Sequence, residues 1–273
     1  VQTYHRHQVP GPEYKVYDQF RDEEGNPLYP QRPMLLGPMF TMGAAGSLPT
    51  GKFKGKMILL GSLWDREAYP WQCDWYRERV KEHLGDKADD HFRLWYTERA
   101  IHGDADNQLD DKTRVVSYIG VLQQALRDLS QWVEKGIEPS PSTNYEIVDG
   151  QVVIPSSAEE RKGIQPVIKA LANGKKKAII STGESVSLTS IVSLPEHTGT
   201  IVKIAWDFDG SGKFADELKI EKGKTNLEVK TNHQFEKPGT YFPAVKVIAQ
   251  RSGKTESPFA QIRNLDRVRV VVE

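Results

Sequence analysis

The stretch that most constrains this chain runs from Lys56 to Asp104. Lys56–Gly61 is a short apolar run ending in glycine, the pattern of a buried strand in a parallel sheet. Asp65 follows it at once, in Gly61-Ser-Leu-Trp-Asp65. Tyr69–Leu84 has helical character and is closed by Gly85. Phe92–Thr97 reads as a second strand, with His102 in the loop just beyond it. The sequence therefore places a carboxylate and an imidazole past the C-terminal ends of successive parallel strands. That edge is where open α/β sheets bind ligands. The interval from Asp65 to His102 has room for one strand–helix–strand crossover. Taken singly, Asp65 reads as readily as a strand end or helix cap, and His102 as an ordinary loop histidine. Their order and spacing make the pair a candidate catalytic couple.

Gly61-Ser-Leu-Trp-Asp65 followed by Ile101-His102-Gly103 resembles the last third of an α/β-hydrolase, over roughly residues 30–136. The resemblance implies a triad in the chain order nucleophile, acid, histidine, with Asp65 the acid and His102 the base. It also implies that Thr113–Lys135 is the closing helix on the sheet. Val115, Ile119, Leu122, Leu126, Leu129 and Val133 recur there at steps of three and four. Asp110 or Asp111 would cap this helix, and Gly136 ends it. Asp104, Asp106, Asp110 and Asp111 form an acidic cluster that suits a helix N-terminus and fits no cation motif.

No nucleophile accompanies the pair. The elbow Gly-x-Ser-x-Gly is absent upstream of Asp65. Ser47 lacks its frame. Ser185, in Gly183-Glu-Ser185-Val-Ser187, lacks the second glycine and follows the histidine. Cys73, the only cysteine, reads as a small buried apolar side chain and excludes an intrachain disulfide. Trp64, Trp71, Trp75 and Tyr76 lie close together, the last three at helical spacings. Core packing is the plain reading of that stripe, and an aromatic substrate wall the sharper one.

Lys+Arg and Asp+Glu both total 37, so charge gives no argument for nucleic acid. No apolar run approaches the length of a membrane span. Residues 1–55 are rich in proline and read as a loop-rich approach to the first strand. The N-terminus has no signal-peptide core, and position 1 is Val rather than Met, from which a longer precursor is expected.

Glu138–Thr143 is linker composition, and Tyr145–Pro155 suits a hairpin about Asp149-Gly150. From Gly163 onward short alternating runs are separated by turn signals, the pattern of a β-sandwich. Trp206-Asp-Phe-Asp-Gly210 and, later, His233-Gln-Phe-Glu-Lys-Pro-Gly-Thr-Tyr241 resemble the polycystic-kidney-disease (PKD) domain, an immunoglobulin-like sandwich. The first motif departs from the usual Asp-Phe-Gly-Asp order. Trp206 and Tyr241 read as core anchors. Asp207 and Asp209 read as turn-holding carboxylates. With Ser211 they are also weak candidates for calcium, although the closing Glu of a twelve-residue loop is missing. No other cofactor is implied.

The expected architecture is thus α/β, the C-terminal half of an α/β-hydrolase sheet, plus an all-β immunoglobulin-like sandwich. Its parts are 1–137, a linker 138–162, and a sandwich 163–273. The expected function is the acid-and-histidine end of a serine hydrolase acting on carboxylic esters. The partners so implied are an ester substrate and the N-terminal half of the hydrolase, in the same precursor or in another chain. PKD-like domains imply an extracellular or periplasmic setting. The alternative is a non-catalytic extracellular binding or adhesion protein with the PKD-like domain as spacer.

Overall fold

A computed structural model describes residues 5–12, 14–33, 49–104 and 112–273. The chain divides into two compact units, Val1–Thr50 and Gly51–Glu273. In the first, Lys15–Phe20 forms a short 3-10 helix. Arg21 anchors the following turn by donating from Nη2 to the carbonyls of Pro10 and Gly11, at 2.6 and 2.8 Å.

The second unit opens with strand β1, Met57–Ser62, helix α1, Trp71–Leu84, and strand β2, Phe92–Thr97. The strands pair in parallel, Met57 opposite Phe92 and Ser62 opposite Thr97. A crossover helix between parallel strands is what their apolar runs require. Every residue of β2 is buried. β1 is mostly half-buried, and among the described residues no strand lies on its other edge. Val80, Phe92, Leu94 and Tyr96 form the core beneath α1.

The outer edge of β2 is covered by the segment that composition marks as a linker. The Thr143 amide donates to the Leu94 carbonyl at 2.8 Å. The Leu94 and Tyr96 amides donate to Ser142 Oγ and Thr143 Oγ1, both at 3.0 Å. Polar side chains thus stand in for the ladder that a further strand would supply. The hairpin follows as β3, Glu146–Val148, and β4, Gln151–Val153. Asp149 and Gly150 both have positive φ, 48° and 71°, as a type I′ turn demands.

Helix α2 spans Ile119–Lys135, starting six residues later than its apolar period suggests, with Tyr118 at the N-cap. Asp110 and Asp111 lie outside the described residues. Gly136 ends it at φ 68°, where its amide and that of Ile137 satisfy the carbonyls of Trp132 and Gln131. The helix is rotated away from its expected apolar face. It buries Val121 and Ala125 against Trp95, Ile164 and Ile262. Gln124 and Asp128 are also buried, whereas Leu126 and Val133 are each 61% exposed.

Gly120 explains the close approach of α2 to the sandwich. A Cβ there would lie 1.8 Å from the Gln261 carbonyl oxygen. Alanine normally stabilises a helix by about 1 kcal/mol over glycine. Here Gly120→Ala is expected to destabilise by about 1–3 kcal/mol, because backbone rather than a flexible side chain must yield. Urea denaturation reads this, and a stabilised variant would contradict the packing.

The sandwich comprises β5, Val167–Ala172, β6, Lys177–Ile180, β7, Ser185–Ser193, β8, Thr200–Asp207, β9, Asp216–Glu217, and β10, Asn226–Gln234. It continues with β11, Gly239–Tyr241, β12, Ala244–Gln250, β13, Ile262–Arg267, and β14, Arg269–Val272. One layer is β10-β7-β5, and facing it are β13-β12-β8-β9 and β11-β14-β6. The pairing is antiparallel except for β6 with β14, so the first strands serve both layers as in immunoglobulin-like folds. The expected run Tyr241–Ala249 is broken at Phe242-Pro243, since proline cannot donate to the ladder. Trp206 is fully buried at the centre. Phe208, His233, Phe235 and Tyr241 continue from it as a ladder of rings, with centroid spacings of 6.1, 4.2, 4.6 and 4.2 Å. The two motifs read as one signature in the sequence therefore meet in one core.

Candidate active site

Asp65 and His102 come together at the C-terminal end of the β1–β2 pair. After Ser62 and Thr97 the chain leaves the sheet in two loops that are tied by backbone bonds. The Leu63 amide donates to the Thr97 carbonyl at 3.0 Å, and the Trp64 amide to the Ala100 carbonyl at 2.9 Å. These ties bring the two side chains face to face. His102 Nδ1 and Asp65 Oδ2 are 3.0 Å apart. Asp65 Oδ1 accepts from the amides of Glu67 and Ala68 at 2.8 and 2.9 Å. One carboxylate oxygen is thus committed to the backbone and the other to the imidazole.

The electrostatics follow from those contacts. Burial alone would push the Asp65 carboxyl up. The two amides and His102 outweigh it and hold the group below the ordinary carboxylate range. The hydrogen bond that His102 donates to Asp65, then the charges of Asp65 and Glu67, hold the imidazolium above the ordinary imidazole value. Nε2 of His102 has Glu67 Oε2 at 3.9 Å, beyond hydrogen-bond reach. The ring is 53% exposed and Asp65 only 10%. An oriented imidazole whose second nitrogen makes no hydrogen bond to a described residue is the arrangement of a general base.

The pair borders a cleft of about 330 Å³, lined also by Leu60, Gly61, Tyr69, Cys73, Tyr118 and Leu122. The floor is largely apolar. Gly61 lies close against its neighbours, since a Cβ there would meet the Tyr96 ring at 2.7 Å. Burial, then the charges of Asp65 and Asp74, push the Cys73 thiol up to about 11, which disfavours the thiolate. None of Trp64, Trp71 and Trp75 lines the cleft. Tyr76 packs on Phe92, and Trp64 and Trp75 lie under the guanidinium groups of Arg99 and Arg79.

Ser185 opens β7 in the sandwich, while Ser47, Asp106, Asp110 and Asp111 lie outside the described residues. Asp207 spends its oxygens on its own turn. Oδ1 accepts from the amides of Gly210 and Ser211 at 3.0 and 3.1 Å, and Oδ2 from Gly212. Asp209 Oδ1 accepts from the Ser211 amide at 3.0 Å. Among the described residues no group of three His, Cys, Asp or Glu side chains is placed to hold a metal ion. Glu67, Tyr69 and Tyr118 were not singled out from the sequence. Proximity to Asp65 is the one signal that points to the first two.

No family model and no curated protein matches the chain. Among solved structures it is similar to the PKD domain of an M14-like peptidase from Thermoplasmatales archaeon SCGC AB-540-F20. That match has 13% identity and a TM-score of 0.29, covering 40% of this chain and 98% of that one. It is also similar to the CARDB domain of a Pyrococcus furiosus protein, with 13% identity and a TM-score of 0.27, covering 40% of this chain and 92% of that one.

Proposed function

We propose that this chain supplies the acid and the histidine of a serine hydrolase acting on carboxylic esters. The observation that carries the reading is the 3.0 Å contact of His102 Nδ1 with Asp65 Oδ2 beside an apolar cleft, at the C-terminal end of parallel strands. In this reading His102 Nε2 takes the proton of an attacking serine and returns it to the leaving alcohol. Asp65 fixes the tautomer and stabilises the imidazolium. The serine comes from the N-terminal half of the sheet, in the same precursor or in a second chain. Two features support a missing half. The outer edge of β1 has no strand on it among the described residues, and the exposed Leu126 and Val133 continue the apolar stripe of α2. Parallel sheets are ordinarily covered on both faces and along their strands. The sandwich is read as PKD-like, and the setting as extracellular or periplasmic. Among the described residues no helix is long and apolar enough to cross a membrane.

The pH dependence tests the role of His102. A general base works neutral, so kcat/KM of the assembled enzyme is expected to rise with pH through the His102 midpoint. Asp65 and Glu67 hold that midpoint up, so the acid limb should lie above about 6.5. Glu67→Gln removes one anion and should move the limb down with little change in the plateau. A limb insensitive to Glu67→Gln and lying below the imidazole range would contradict the assignment. Wild-type hydrolysis of simple acyl esters by His102→Ala would overturn it and favour the non-catalytic binding protein.

A further inference from the structure

Arg99 sits three residues before His102 at φ 62°, a conformation that a long side chain adopts rarely. Its carbonyl accepts from the Val116 amide at 3.1 Å. Its guanidinium lies over the ring of Trp64, the neighbour of Asp65, 5.0 Å from the centroid. Nη2 then donates to Asp266 Oδ1 at 3.3 Å. Asp266 is a fixed anchor on β13. It also accepts from the amides of Ala170 and Arg267 at 2.7 and 2.8 Å and from Lys176 Nζ. Arg99 therefore touches the loop of Asp65, belongs to the loop of His102, and is tethered to the sandwich.

We propose that Arg99, anchored by Asp266, is the positioning residue of the Asp65–His102 pair, so that the sandwich sets the geometry of the site rather than serving as a spacer. The proposal rests on reading that pair as catalytic. The physical need is plain. The His102 ring is 53% exposed, so packing does not fix it, and its orientation depends on how the two loops are held. The Arg99–Asp266 pair is largely shielded from solvent, and removing one partner of such a pair leaves the other charge uncompensated, so its loss should loosen the joint.

The test is the NMR titration of the His102 ring in the full chain, with its signals assigned by their loss in His102→Ala. Among the described residues the charged groups paired with the ring are Asp65 at Nδ1 and Glu67 near Nε2. Removing a nearby cation raises a histidine midpoint by direct electrostatics. The proposal predicts the opposite for Arg99→Gln, a fall of about half a pH unit or more with loss of the Nδ1 proton signal, because the bond to Asp65 is lost. Arg99→Lys should recover part of the fall, and Asp266→Asn should reproduce it. Arg251→Gln is the control. It removes another ion pair between sandwich and helix, Arg251 Nη2 to Asp128 Oδ2 at 3.0 Å, and should leave the midpoint at wild type. A folded Arg99→Gln with an unchanged or raised midpoint overturns the proposal, as does an equal fall in Arg251→Gln. If Arg99→Gln does not fold, Asp266→Asn decides the matter. The titration reads geometry and not turnover. An inactive pair that still shifts would therefore sink the hydrolase reading and leave the positioning intact.

Discussion

Asp65→Asn in the assembled enzyme is expected to lower kcat about 10⁴-fold, equivalent to about 5.4 kcal/mol of transition-state stabilisation. The direction follows from the hydrogen bonds. Asp65 Oδ1 accepts from two backbone amides, those of Glu67 and Ala68. An amide side chain must leave its oxygen there and turn its NH₂ toward His102 Nδ1. Nδ1 then has to accept, the ring proton moves to Nε2, and Nε2 no longer takes a proton from serine. His102→Ala removes the base outright and should cost a similar factor. The two losses should not add, because the residues act as one unit. Hydrolysis of a chromogenic acyl ester measures both. Turnover within about tenfold of wild type in either variant would contradict the assignment.

Trp206→Ala is expected to cost about 3–5 kcal/mol, much of the stability of a typical domain. The ring is fully buried between the two layers and begins the ladder that runs through Phe208, His233, Phe235 and Tyr241. The effect should reach beyond the sandwich. Trp95 of β2, Val121 and Ala125 of α2, and Ile164 and Ile262 share one buried cluster. Gln165 joins the two regions as well, donating from Nε2 to the Glu98 and Arg263 carbonyls at 3.1 and 2.9 Å. Loss of the sandwich therefore exposes the floor under β2. Guanidinium denaturation followed by far-UV circular dichroism checks this. A change below about 1 kcal/mol would mean that Trp206 is not a core anchor.

The parts of the fold that were legible in the sequence are those where one chemical pattern decides. The runs of β1 and β2, the Asp149-Gly150 turn and the alternation of most sandwich strands each had a local cause. β13 was not legible. Its Asn264 and Asp266 are buried with hydrogen bonds to Pro166 and Ala170, so the strand lacks the apolar alternation that marks its neighbours. The rotation of α2 was hidden for a similar reason. Its period pointed Leu122, Leu126 and Val133 inward, whereas the Gly120 contact and the Asp128–Arg251 pair turn another face to the sandwich. Asp65 and His102 stood out because each follows a strand at once. Arg99 did not, since its partner Asp266 lies 167 residues away in sequence.

The central claim is that His102 and Asp65 of this chain activate a serine that lies elsewhere. The most direct measurement is labelling of the native assembled protein with a fluorophosphonate, followed by mass spectrometric location of the modified residue. A single modified serine outside these 273 residues, its labelling lost in His102→Ala, is the predicted result. Labelling of a serine within this chain, labelling untouched by His102→Ala, or no labelling at all would contradict it.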